Sequence, residues 1–280
     1  MTRQGDYPHR MSDGFPDDAV QKWFEDRTFG PSSFAAGELL EAKKDKGLRI
    51  TACLPARDEG ATISSICGSI TSDLMDTYDL VDELLVIDSD SADDTAQRAR
   101  AAGATVVHVA DLVPEIPLHP GGGKGDALWR SLSAATGDIV VWLDADTVNF
   151  GPHFVTQLVG PLLRHDEVML CKAFYERPLV AGSTTVTSGG ARVTELVVRP
   201  LLALFAPELV GIVQPLAGEC ACRRAAMLDL PFSPATRSKR ACSWIRSSAS
   251  GWMRSHKPTL ERASIAIATS SRWGGCRSRS

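Results

Sequence analysis

The chain has 280 residues, 44% of them hydrophobic, and a formal net charge of −4. That is enough for one large α/β domain with a full core, or one domain with an appendage. No run reaches the roughly 20 apolar residues of a membrane span, and Met1 to Gly30 is polar and acidic without an apolar signal region, so a cytoplasmic protein away from membranes is expected.

Residues 1–34 read as a mobile N-terminal segment, and a helix follows over Ala35 to Lys46. Leu48 to Leu54 reads as a strand that ends at Pro55. Ala61 to Ser72 has helical spacing, with Ile63, Ile66 and Ile70 on one face. Glu83 to Ile87 is a second strand. Asp93 to Ala102 is a helix opened by the acids Asp93 and Asp94 and stopped by Gly103. Thr105 to Val109 is a third strand, Gly125 to Ala135 a helix, and Ile139 to Leu143 a fourth strand. Then come a helix over Phe154 to Leu163, a strand over Val168 to Phe174, an apolar helix over Val193 to Phe205, and strand and turn over Gly211 to Ala221. Strands alternating with helices predict a mostly parallel central sheet flanked by helices.

Three polar motifs sit where strands run out, which is where ligands bind in an open α/β sheet, and a glycine-rich loop comes before a helix. Leu143-Asp144-Ala145-Asp146 closes the fourth strand. Two carboxylates one residue apart can hold a hard cation such as Mg²⁺ or Mn²⁺ and leave positions open for diphosphate oxygens; a turn or a helix cap is the other reading. Pro55-Ala56-Arg57-Asp58-Glu59 follows the first strand, where its backbone and Glu59 can meet a base or ribose; an ordinary loop capped by Asp58 is the other reading. Asp88-Ser89-Asp90-Ser91 follows the second strand, with short polar side chains able to cap a helix or bind a nucleoside. Gly121-Gly122-Gly123-Lys124-Gly125 enters a helix. It can bring backbone amides and a lysine to phosphate, although it lacks the full P-loop spacing; a flexible linker with Lys124 solvated is the other reading. Further on, Gly189-Gly190-Ala191-Arg192-Val193-Thr194 opens the apolar helix, where Arg192 and Thr194 suit an anionic acceptor; helix capping with Arg192 at the surface is the other reading.

In order, these pieces resemble nucleotide-sugar glycosyltransferases of the GT-A type, Rossmann-like in fold, and more closely the glucosyl-3-phosphoglycerate synthases. The resemblance spans about Ala36 to Pro234, so residues 35–234 are expected to form the transferase domain. It implies UDP-glucose as donor, 3-phosphoglycerate as acceptor, Mg²⁺ or Mn²⁺ as cofactor, retention at the anomeric carbon, and a homodimer. Carried over by position, Pro55, Ala56, Arg57, Glu59 and Ser89 hold the uridine and ribose. Lys124, Asp144, Ala145 and Asp146 serve the rest of the donor, Asp146 and Asp144 hold the metal, and Arg192 and Thr194 hold the acceptor. No acid stands out as a catalytic nucleophile. A related transferase using GDP-mannose, or a nucleotide-sugar binder without turnover, remains open.

Residues 235–280 break the pattern. The first 234 residues carry 20 Lys+Arg against 33 Asp+Glu, and the last 46 carry 10 against Glu261 alone, with 11 serines and three tryptophans. The acidic body argues against nucleic acid as a partner despite this basic tail. The tail lacks the tyrosine, glutamate and later histidine segment that the family shows, and is expected to be disordered. Loss of one nucleotide after the Pro234 codon accounts for it. The neighbouring frame, with GC-rich choices for the free base, restores Tyr and Glu opposite Thr236 and Lys239 and a histidine opposite Ile265.

Overall fold

A computed structural model describes residues 18–30, 34–112, 124–174, 179–181, 184–186, 193–205, 209–228 and 264–269. The chain runs through α1 (Asp18–Arg27), β1 (Thr28–Phe29), α2 (Ala36–Lys46), β2 (Ile50–Ala56) and α3 (Ile63–Ser69), which continues as a π-helical stretch over Ile70–Thr77. Next come β3 (Glu83–Asp88), α4 (Thr95–Ala101), β4 (Thr105–His108), α5 (Lys124–Ala134), β5 (Ile139–Trp142), α6 (His153–Arg164) and β6 (Val168–Phe174). A short hairpin of β7 (Leu179–Ala181) and β8 (Thr184–Val186) precedes a π-helical turn, Thr194–Val198, that runs into α7 (Arg199–Phe205). Then follow β9 (Cys220–Arg223), α8 (Arg224–Leu228) and β10 (Ser264–Thr269).

Eight strands form one sheet in the order β1-β10-β6-β9-β5-β2-β3-β4. All its pairings are parallel except those of β9, which runs antiparallel to both β5 and β6. Alternation along the strands splits the core into two layers. Ile50, Ala52 and Leu54 of β2, with Val86 and Val141 of its neighbours, face Ile63, Ile66 and Ile70 and the apolar side of α6. Cys53, Leu85, Ile87, Val140 and Trp142 point the other way, towards Ala127, Trp129 and Leu132 of α5. The buried indole of Trp142 donates from Nε1 to Ser131 Oγ at 2.9 Å, so its polar atom is satisfied. Gly47 ends α2 in the left-handed region at φ 62°, its amide reaching the carbonyls of Lys43 and Lys44.

The parallel sheet expected from the sequence is present, with several differences. β2 continues through Pro55 rather than ending at it, and Pro55 pairs in register with Ile87. The Ala56 carbonyl accepts from Ser89 N on the β3 side and the Cys53 carbonyl from Leu143 N on the β5 side. Alternation therefore turns Pro55 towards β5, whose ladder with β2 stops at the Cys53–Trp142 pair. The proline's missing N–H faces no strand there. The helix expected over Ala61 to Ser72 runs on to Thr77 by widening into a π-helical stretch. The Asp93 carboxylate accepts from Thr95 N at 3.0 Å and so serves the start of α4, while Asp94 pairs with Arg98 one turn on. In the Gly211 to Ala221 region the turn comes first and the strand, β9, begins only at Cys220. Two regions expected to lack structure contain some: α1 and β1 lie within residues 1–34, and β10, inserted between β1 and β6, lies within the tail.

Candidate functional site

The ends of β5, β2 and β3 lie side by side at one rim of the sheet, and each releases a polar segment there. Asp144, Ala145 and Asp146 follow β5, whose exit is fixed by Leu143 N donating to the Cys53 carbonyl at 3.0 Å. Thr62, just before α3, donates from Oγ1 to the Ala145 carbonyl at 2.6 Å. The segment after β2 is therefore tied to the acidic pair after β5. Pro55 and Ala56 end β2, and Ser89 N donates to the Ala56 carbonyl at 3.0 Å, which places Ser89 beside them.

Arg57 to Gly60 is stapled to the segment after β3. Asp58 N donates to Ser91 Oγ at 3.0 Å and Ala92 N to Asp58 Oδ1 at 2.7 Å. Glu59 N donates to Thr95 Oγ1 at 2.8 Å, and Gly60 N to Asp93 Oδ2 at 3.1 Å. Asp58 and Asp90 both sit in the left-handed region, at φ 55° and 60°. Short acids tolerate that conformation better than most residues because their side chains bond locally. The segment from Arg57 to Thr95 thus forms a braced shelf beside the β5 exit.

Lys124, the first residue of α5, is half-exposed and pairs with Asp144 Oδ1. Burial of its ammonium would lower the pKa, but the carboxylates of Asp144, Asp146 and Glu219 outweigh that and hold it above the ordinary lysine value. Glu219 is almost fully buried at 1% exposure, and neither carboxylate oxygen has a hydrogen-bond partner among the described residues. Burial, then the Asp144 charge, push its carboxyl well above the usual range, while Lys124 and Lys172 pull the other way. Lys172, also buried, donates from Nζ to the Ala217 carbonyl at 2.5 Å. Between these groups lies Gly218, where a Cβ would overlap the Asp144 carboxylate.

Two hard oxygen donors at a strand end, with a lysine beside them, suit a divalent cation that shares a diphosphate. Among the described residues no group of three or more His, Cys, Asp or Glu could hold a metal ion. Mg²⁺ and Mn²⁺ keep positions for water and phosphate oxygens beside one or two protein carboxylates.

The structure therefore brings Pro55, Ala56, Arg57, Glu59, Ser89, Lys124, Asp144, Ala145 and Asp146 to one rim. It does not complete the acceptor side: Thr194 is buried at the head of the helical stretch, and Arg192 and Gly121 to Gly123 lie outside the described residues. Sequence reasoning missed Glu219 and Lys172. The available signal was a lone acid, Glu219, within the otherwise uncharged run Leu209 to Cys222. A charge in such a run needs a reason to be buried.

Comparison with known proteins gives the same picture. Residues 51–202 match the glycosyl transferase family 2 model. The glucosyl-3-phosphoglycerate synthase of Mycolicibacterium paratuberculosis is 52% identical over 215 residues, 76% of this chain and 63% of that protein. This chain thus spans less than two thirds of that curated relative's length. The crystal structure of the Mycobacterium tuberculosis glucosyl-3-phosphoglycerate synthase, in complex with Mn²⁺, UDP-glucose and phosphoglyceric acid, aligns with a TM-score of 0.70 and 43% identity, over 88% of this chain and 77% of that one. Mannosyl-3-phosphoglycerate synthase from Rubrobacter xylanophilus aligns with a TM-score of 0.74 and 34% identity, over 91% and 77%. The match over more than half of its residues, on a mostly parallel sheet with paired acids at a strand end, establishes that the chain belongs to glycosyl transferase family 2.

Proposed function

We propose that this chain is built to transfer glucose from UDP-glucose to 3-phosphoglycerate with retention at the anomeric carbon. The observation that carries the reading is the grouping of Asp144, Asp146 and Lys124 beside the ends of β2 and β3. The 52% identity to a named glucosyl-3-phosphoglycerate synthase supports the choice of substrates. Pro55, Ala56, Arg57, Glu59 and Ser89 form the shelf for uridine and ribose. Lys124 serves the diphosphate. Asp144 and Asp146 would hold Mg²⁺ or Mn²⁺, which when bound neutralises charge on the departing diphosphate. Arg192 and Thr194 serve the acceptor's phosphate or carboxylate, and the acceptor hydroxyl approaches from the leaving-group side.

For the chain as written, we propose that donor binding is kept and turnover is weak or absent. The basic tail from Ala235 stands in place of the family's later metal ligand and part of the sugar pocket, and misplaced groups cost rate steeply. Sequencing the gene tests the cause. A confirmed loss of one nucleotide after the Pro234 codon supports it, and an intact frame encoding the written tail contradicts it. The 34% identity to a mannosyl-3-phosphoglycerate synthase keeps GDP-mannose as a second donor. A panel of UDP-glucose and GDP-mannose, read by calorimetry, separates the two.

The same reading carries a homodimer in the cytoplasm. Leu196, Leu204 and Phe205 are 74%, 74% and 68% exposed on one helical stretch, an apolar surface that suits a second copy. No helix among the described residues is long and apolar enough to cross a membrane. The five described cysteines are buried and unpaired, as expected in a reducing compartment.

A further inference from the structure

Glu219 has no part in the roles above, yet it lies at their centre. It follows Gly218, whose missing side chain lets the chain press against the Asp144 carboxylate. Its two oxygens are buried without a hydrogen-bond partner among the described residues, an arrangement that is costly unless another state of the site uses it. The Asp144 oxygen that Gly218 presses against, Oδ1, is the one that pairs with Lys124, so Glu219 follows directly on that contact, and the carboxylates acting on the ammonium are Asp144, Asp146 and Glu219. In this structure Lys124 is paired with Asp144. A divalent cation bound by Asp144 and Asp146 would engage two of the three, and its positive charge would repel the ammonium. Glu219 is the carboxylate that remains. Lys172 cannot substitute, because it carries the same charge as Lys124 and is anchored on the Ala217 carbonyl.

We infer that Glu219 is a positioning residue that receives the Lys124 ammonium when a divalent cation claims Asp144. The inference rests on the metal role proposed for Asp144 and Asp146. The exchange breaks no covalent bond, and a proton held by the raised Glu219 carboxyl passes to water as the ammonium arrives. It swaps one ion pair for another, frees an Asp144 oxygen for the cation, and keeps Lys124 at the rim where a diphosphate arrives. Lys124 then has a carboxylate partner in both states, and the unpartnered acid of the metal-free state has a use.

The test is a double-mutant cycle on Mn²⁺ affinity, with free Mn²⁺ followed by its EPR signal and no nucleotide or acceptor present. Glu219→Gln in the full chain should weaken Mn²⁺ binding by about tenfold, the usual scale for losing a group just outside the metal's own ligands. Glu219→Asp, which keeps the charge, should restore affinity to within about threefold of the parent. In a Lys124→Met background Asp144 has no ammonium to release, so adding Glu219→Gln should change affinity by less than about twofold. Melting in EDTA should show Glu219→Gln unfolding no earlier than the parent, since the change removes an unpartnered buried acid. Three results overturn the inference: no effect of Glu219→Gln in the parent, an equal loss in both backgrounds, or a variant that folds poorly in EDTA. If the parent itself takes up no Mn²⁺, the metal reading falls with it. A parent that binds while Glu219→Gln binds equally well overturns this inference alone.

Discussion

Acids gather at both ends of β5, β2 and β3, and those beside the end of β5 are used differently from those where the strands begin. At the end where these strands begin, each acid is spent on the fold. Asp82 accepts from Ile50 N at 2.7 Å and pairs with the buried Lys43 at 2.9 Å. Glu83 accepts from Thr51 Oγ1 at 2.6 Å and from Thr136 N at 2.9 Å. Asp138 accepts from Arg49 N at 2.9 Å. At the end where the strands finish, Asp144 is held by a lysine from another element and Glu219 by no hydrogen bond among the described residues. An acid that caps its own backbone supports the fold. Burial, then the Asp144 charge, raise the proton affinity of Glu219, and acids crowded together with few donors prepare the rim for a cation.

This contrast makes crossed predictions. Asp146→Ala should weaken Mn²⁺-dependent UDP-glucose binding by more than about a hundredfold, because it removes one of two charged ligands, while the melting temperature stays near the parent's. Calorimetry beside a melt checks both halves. Asp82→Ala should do the reverse. It strips the charged partner from an ammonium 7% exposed that keeps the Asp79 carbonyl, and should cost about 2 kcal/mol in denaturant unfolding, with donor affinity kept. Equal damage to binding from both variants would erase the distinction between the two ends. Gly218→Ala should push the Asp144 carboxylate aside and lower donor affinity by about tenfold, read in the same titration.

Two smaller effects sharpen the picture away from the rim. Leu204→Glu should shift the chain from dimer towards monomer in sedimentation, and change the monomer's unfolding free energy by less than about 0.5 kcal/mol. At His153, half-buried before Phe154, burial holds the imidazole pKa below its ordinary value. The unfolded chain then takes up a proton that the folded chain resists, so stability should fall as pH drops below the ordinary imidazole range. His153→Phe should flatten that part of the profile in melts from pH 5 to 8, a range chosen to span the ordinary value of 6.5.

Much of this was legible in the sequence because the strands alternate cleanly with helices and three of them end in distinct polar motifs. Asp144 and Asp146 were readable through the ordered set of motifs around them, since acids after a strand are by themselves more often a turn or a helix cap. Pro55 was misplaced because a proline usually ends a strand, and nothing local shows that its missing N–H faces the end of a neighbouring ladder. Glu219 was missed because it gains its meaning from Asp144, 75 positions earlier, and from Lys172. β9 puts it there by running antiparallel between β5 and β6, a contact without a local signature. The exposed face of the 193–205 stretch reads in sequence as an ordinary buried helix, since apolar periodicity does not say what covers it.

The central claim is that the rim of β5, β2 and β3 is a metal-dependent donor site in a chain whose tail has disabled transfer. Calorimetric titration of UDP-glucose with and without Mn²⁺, followed by UDP release with 3-phosphoglycerate, tests it most directly. The account predicts binding that requires Mn²⁺ and little or no UDP released. Binding indifferent to Mn²⁺, or none at all in a folded chain, would contradict the donor site, and full turnover would contradict the role assigned to the tail.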